Sequence, residues 1–195
     1  MEGVECILLA AGYAQRFGGD KLLADLPSGK SVLAETVSVY EKIFEKIAIV
    51  CRPEQIESFG LAISSNAALN FIPNNLATNG ISQSISLGVT NVDCSKGWLI
   101  ALADMPFVQA STVKSIIQKS REAEIVRPIH HGMIGNPVYI SKIYQRDLQQ
   151  LDGDRGARVL INNVDQSGVF NLVVDDVGVC QDIDIRKDLD QNTFE

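Results

Sequence analysis

The chain has 195 residues, of which 46% are hydrophobic and 21% charged, the usage of a packed globular domain and not of a disordered or fibrous chain, so a single domain over residues 1–195 is expected. Its formal net charge of -7 excludes the broad basic face that nucleic acid requires. No apolar run approaches the roughly 20 residues that span a bilayer, and the start MEGVECILLAAG has neither a basic leader nor a small-residue cleavage site, so a cytoplasmic location away from membranes is expected.

Four short apolar runs read as buried strands in chain order: Val4 to Leu9, Ile47 to Val50, Leu69 to Ile72 and Trp98 to Leu102. Between the first two, Ser31 to Phe44 carries Val32, Leu33, Thr36, Val37, Tyr40, Ile43 and Phe44 at helical spacing. Ser82 to Val89 and Ser111 to Lys119 read as further helices, each opened by a serine cap. Glu124 to Ser141 reads as two strand-like pieces around the turn His130-His131-Gly132-Met133, with a Gly135-Asn136-Pro137 break, and is expected to form a hairpin-like excursion covering the site. Gly168 to Val174 reads as another strand, and Asp184 to Leu189 as a short terminal helix. This alternation predicts an α/β fold, a three-layer α/β/α sandwich with a mostly parallel Rossmann-like sheet and its ligands beyond the carboxyl ends of the strands.

Cys6, Cys51, Cys94 and Cys180 are far apart and His130 and His131 are adjacent, so no zinc spacing is present. Cys6 and Cys51 lie in apolar runs and read as buried thiols in a reducing compartment. The loop from Leu9 through Ala10, Ala11 and Gly12 to Arg16, Gly18, Gly19 and Lys21 follows a strand and joins small residues to two cations. Small residues let backbone N–H groups approach an anion, while Arg16 offers a fork and Lys21 a point charge for phosphate oxygens. A tight turn with solvated cations is the plainer reading.

Asp104, in Ala103-Asp104-Met105-Pro106, sits just past a strand end, where a carboxylate can hold Mg²⁺ or cap a turn. The string from Leu9 to Lys21 resembles the LAAGxSxRMGxxK signature of the MobA-like nucleotidyltransferases of molybdenum cofactor synthesis, with Ala14 in place of Ser and Phe17 in place of Met. These are enzymes of the nucleotide-diphospho-sugar transferase fold type. In that family a DMP carries the metal-binding Asp, which implies Asp104, and its partner lies in a DIDTP stretch, matched here by Asp182-Ile183-Asp184-Ile185-Arg186. Asp184 is the implied second ligand, Asp182 the alternative, and an exposed acidic helix cap the competing reading.

Asn74 to Ser84 resembles the family's NPxxxxGMxxS stretch, implying nucleotide contacts from Gly80, Ser82 and Ser84, although helix capping accounts for the serines almost as well. Gly135-Asn136-Pro137 corresponds to a GHP motif and Gly153 to Arg158 to GDxGAR, implying an acceptor side formed by Asn136, Asp154, Arg155 and Arg158. A plain Gly-Asp turn into a helix is the alternative, and Asn136 lacks the titratable ring of the family's His.

The resemblance covers nearly the whole chain in order. Ala-Ala-Gly at positions 10–12, in place of Ala-Gly-Gly, points to the cytidylyl branch. It implies CTP as the NTP, Mg²⁺ as cofactor, Mo-molybdopterin as phosphorylated acceptor, pyrophosphate as product and a recipient molybdoenzyme as partner. The competing readings are an NTP transferase acting on a sugar phosphate or another small phosphorylated acceptor, and a non-catalytic protein that binds and delivers the cofactor.

Overall fold

In the computed structural model, which describes residues 3–14 and 16–190, the chain runs in order through β1 (Val4–Leu9), α1 (Val32–Tyr40), β2 (Lys46–Cys51), α2 (Ile56–Ala62), β3 (Ala68–Pro73), α3 (Ile81–Asn91), β4 (Gly97–Leu102), α4 (Ala110–Lys119), β5 (Ile125–His130), β6 (Met133–Ile134), β7 (Val138–Ser141), α5 (Gln145–Gln149), α6 (Arg158–Asn163) and β8 (Val169–Val173). The expected strands are all present. β1 pairs in parallel with β2 on one side and β4 on the other, and β2 with β3. Strand order therefore reverses beside β1, which makes a crevice at the carboxyl ends there.

Alternation along the strands creates the three layers. Cys6 and Leu8 of β1 face a core built with Val32, Leu33 and Val37 of α1, Phe59 of α2 and Val113 and Ile116 of α4. Ile7 and Leu9 face the opposite core, with Ile85 and Val89 of α3, Leu148 of α5 and Leu160 and Ile161 of α6. The period-2 geometry of a strand gives each layer its share of one apolar run. Gly88 lets α3 settle on the sheet, since a Cβ there would come within 2.8 Å of Ile7 Cγ2. Burial raises the thiol of Cys51 to about 11, and pushes those of Cys6 and Cys94 up as well, in line with inert core cysteines.

The segment read as an excursion over the site belongs to the central sheet. β7 lies between β4 and β5, antiparallel to both, and β6 pairs with the end of β5. Gly135-Asn136-Pro137, with a cis Asn136–Pro137 bond, interrupts one returning strand, so that the register shifts between Ile129↔Ile134 and Val126↔Tyr139. The Pro and Gly breaks mark this bulge, where a strand bends without leaving the sheet. β8 pairs in parallel with the other edge of β5.

Helix boundaries also differ from expectation. α1 ends at Tyr40, with Ser31 as its cap through Ala34 N–H at 3.2 Å. α3 begins at Ile81 on Gly80, and the N–H of Ser82 is satisfied by Gly153 C=O at 3.2 Å in place of a serine cap. α4 begins at Ala110, so Ser111 is inside its first turn. The terminal turn is a 3-10 helix over Arg186–Asp190. Among the described residues no helix is long and apolar enough to cross a membrane.

Candidate active site

At the reversal beside β1, a cavity of about 750 Å³ opens between the loop after β1, the end of β4 and the start of α3. Leu9, Ala10, Ala11, Gly12, Lys21, Gly80, Ser84, Asp104 and Asp154 line it. The loop leaves the sheet once Ala10 N–H has bonded to Val50 C=O at 2.8 Å. β4 is fixed where it ends, because Ala103 N–H donates to Leu9 C=O and the buried Thr36 hydroxyl donates to Ala103 C=O, at 3.0 and 2.9 Å. Asp104 is thereby held in the cavity wall.

The C-terminal stretch reaches the same point. Ile183 is buried in the core and its N–H donates to Asp104 C=O at 2.9 Å. The flanking Asp182 and Asp184 sit close enough to Asp104 that partial desolvation and then the charges of Asp184 and Asp104 raise the Asp182 carboxyl above its ordinary range, with Lys21 opposing them. Asp184 is oriented by Asp188, whose Oδ2 accepts from the N–H groups of both Asp184 and Ile185 at 2.8 Å.

Two cations bind these carboxylates together. Lys21 Nζ lies 2.7 Å from Asp104 and 3.5 Å from Asp184, and Arg16 Nη2 lies 2.9 Å from the other oxygen of Asp184. Two oxygen-donor side chains converging on one cation are the donor set that suits a hard ion such as Mg²⁺. Phe17, which stands where the family signature has Met, meets Arg186, whose guanidinium lies over its ring, 5.3 Å from the centroid, tying the loop to the C-terminal stretch.

The remaining site residues divide. Ser84 lines the cavity and accepts from Asn74 Nδ2 at 3.0 Å. Ser82 is fully buried, does not line it, and accepts the N–H of Gly156 at 3.1 Å. Asp154 stands beside Gly80, while Arg155 and Arg158 are exposed outside the lining. Asn136 is also outside it, with its N–H donated to Val179 C=O at 2.8 Å.

Arg52 is a cavity residue that sequence reasoning missed. From the end of β2 its Nη1 donates to Gly12 C=O at 2.9 Å and Ala11 C=O at 3.4 Å, its guanidinium lies 4.6 Å from the Tyr13 ring centroid, and Glu54 pairs with it at 2.7 Å. Its backbone is fixed by the buried Gln55, whose Oε1 accepts Arg52 N–H at 3.1 Å.

Residues 6–168 match the MobA-like NTP transferase domain. The chain belongs to this family. This MobA-like domain is 25% identical over 133 residues to a protein of Natranaerobius thermophilus named as a probable molybdenum cofactor guanylyltransferase, covering 67% of this chain and 62% of that one. It therefore spans under two thirds of that relative's length. A protein of the same description from Aquifex aeolicus is 22% identical, covering 82% of this chain and 75% of its own. The MobA-like fold superposes on Rv0371c of Mycobacterium tuberculosis with a TM-score of 0.79 at 22% identity, over 96% and 95% of the two chains.

Proposed function

We propose that the chain is a nucleotidyltransferase that moves CMP from CTP to Mo-molybdopterin, giving molybdopterin cytosine dinucleotide and pyrophosphate. The observation that carries this reading is the convergence of Arg16, Lys21, Asp104 and Asp184 beside a cavity walled by Ala10, Ala11 and Gly12. The triphosphate lies along the loop, with Arg16 and Lys21 against its oxygens. The base lies toward Ala11, Gly80 and Ser84.

The acceptor phosphate, already anionic near neutral pH, attacks the α-phosphorus in line and pyrophosphate leaves opposite it. No side-chain nucleophile is needed, so the protein contributes positioning and charge stabilisation. Lys21 and Arg16 supply donors to the charge that develops. Asp104 and Asp184 would hold Mg²⁺, which supplies charge neutralisation at the phosphates. Asp154 faces the cavity from the GDxGAR stretch and carries the acceptor side together with the exposed Arg155 and Arg158 of the same stretch.

Arg52 supports the base wall by holding the Ala11 and Gly12 carbonyls. The curated relatives are named as guanylyltransferases, so GTP is the competing donor. Ala11 is buried and lines the cavity, so its methyl narrows the space for a purine. A methyl in a pocket is worth about 1 to 3 kcal/mol, which relaxes a preference without reversing it. The test is the ratio of kcat/KM for CTP and GTP in wild type and Ala11→Gly. A wild type that favours CTP and a smaller ratio in the variant are expected, while a wild type that favours GTP contradicts the cytidylyl reading.

A further inference from the structure

Away from the cleft, the fold gathers three side chains that the sequence keeps apart. β5 ends in His130, and the two-residue turn His131-Gly132, with φ of 47° and 81°, brings the next imidazole back beside it. The two rings meet edge to face with centroids 4.3 Å apart. β8 runs parallel to β5 with Val173 opposite Ile129, so Asp175 arrives level with both histidines. One ring nitrogen of each histidine and a carboxylate oxygen of Asp175 lie within 4.8 Å of one another.

The hydrogen bonding suits a ligand role. His130 is buried, and its Nδ1 lies 3.1 Å from Val174 C=O. A carbonyl only accepts, so Nδ1 carries a proton and Nε2 is the nitrogen left to bind an ion, the arrangement in which a backbone carbonyl fixes the tautomer of a metal-binding imidazole. His131 and Asp175 are exposed and able to adjust. Ligands of a tetrahedral ion at about 2.0 to 2.2 Å stand roughly 3.3 to 3.6 Å apart, so closing the cluster takes movements of about an ångström.

We propose that His130, His131 and Asp175 form a site for a borderline transition-metal ion such as Zn²⁺, with solvent completing its coordination. Two imidazole nitrogens and one carboxylate suit Zn²⁺ and disfavour Mg²⁺, which selects all-oxygen sites. The ion staples the β5–β6 turn to the end of β8. β5 is parallel to β4, both being antiparallel to β7, so the staple lies at the same end of the strands as the cleft, and it is chemically distinct from the Asp104–Asp184 pair.

The test is calorimetric titration of the full chain with Zn²⁺ in excess Mg²⁺, in a Cys180→Ser background because Cys180 is the cysteine that is not buried, together with the melting temperature. A single saturable equivalent and a raised Tm are expected, unchanged in Asp104→Asn. Removing an outer partner of a metal ligand already costs about 10- to 100-fold in affinity, so His131→Ala and Asp175→Asn are each expected to lose at least tenfold. The absence of saturable Zn²⁺ binding, equal affinity in His131→Ala, or loss of the equivalent in Asp104→Asn overturns the proposal.

Discussion

Lys21 Nζ lies 2.7 Å from Asp104 Oδ2, across 83 residues of sequence, with the lysine side chain only 13% exposed. This pair joins the loop after β1 to the end of β4. Arg16 meets Asp184 from the solvent side and is 76% exposed. Lys21→Ala and Arg16→Ala should each slow transfer by about 10²- to 10³-fold, the usual effect of losing one charge-stabilising donor. Their stabilities should differ. An exposed ion pair contributes about 0 to 1 kcal/mol, so Arg16→Ala should unfold close to wild type, whereas Lys21→Ala leaves Asp104 and Asp184 without their shared cation and should unfold at lower urea. Single-turnover rates and urea denaturation of both variants measure these effects, and wild-type turnover in both removes the phosphate-loop assignment.

Asp182 carries a pH signature. Desolvation and the charges of Asp184 and Asp104 raise its carboxyl above the ordinary range, so the folded chain binds its proton more tightly than the unfolded chain does. Stability from this group is thus lost as pH rises from the ordinary carboxylate range through the raised value. Asp182→Asn should melt higher than wild type at neutral pH, and the gain should vanish below the ordinary range. Melting temperature against pH for the two proteins checks this, and a variant that melts lower at neutral pH contradicts it.

What was readable in the sequence follows physical distance along the chain. The loop from Leu9 to Lys21 and the strand-end Asp104 announce themselves because their chemistry is local: small residues beside cations, and a carboxylate just after an apolar run. Arg52 gave no such signal. Its partners are the carbonyls of Ala11 and Gly12, 40 and 41 residues away, and backbone acceptors leave no mark in a sequence. Ser82 and Ser84 read alike, but two positions on a helix point to different sides, so one clamps Gly156 and the other faces the cavity. The Gly135-Asn136-Pro137 break looked like a departure from the sheet because a bulge and a loop use the same residues. Asp175 could not be linked to His130 and His131 without the parallel pairing of β8 with β5.

Asp176 anchors the segment that leads to Asp182 and Asp184. It is buried and accepts from the N–H groups of Gln109 and Gly178, both at 3.0 Å, and from the Thr112 hydroxyl at 2.6 Å. Asp176→Ala leaves these donors without an acceptor and should cost about 2 to 4 kcal/mol. Urea denaturation measures the loss. A change below 1 kcal/mol, on the order of an ordinary surface substitution, would contradict this anchoring role.

Gly80 is held at φ 92°, with the position of a Cβ only 2.2 Å from Asp154 Oδ1 and 2.6 Å from Gly153 C=O. Gly80→Ala should destabilise by about 1 to 3 kcal/mol through the strained backbone and displace Asp154 from the cavity wall. Gly18→Ala, at φ 73° with nothing within 4 Å, is the control with strain alone and should cost less. Equal losses in the two variants, by urea denaturation, would remove the contact with the Gly153–Asp154 turn as a cause.

The most direct measurement is pyrophosphate release by the full chain with Mo-molybdopterin, Mg²⁺ and each of the four NTPs, repeated with Asp104→Ala. Asp104 sits at a strand end beside the cavity, so the variant should retain the fold, as circular dichroism would report. The account predicts release that depends on acceptor and metal, is fastest with CTP, and is abolished in Asp104→Ala. Release at the same rate in Asp104→Ala, or none with any NTP, would contradict it.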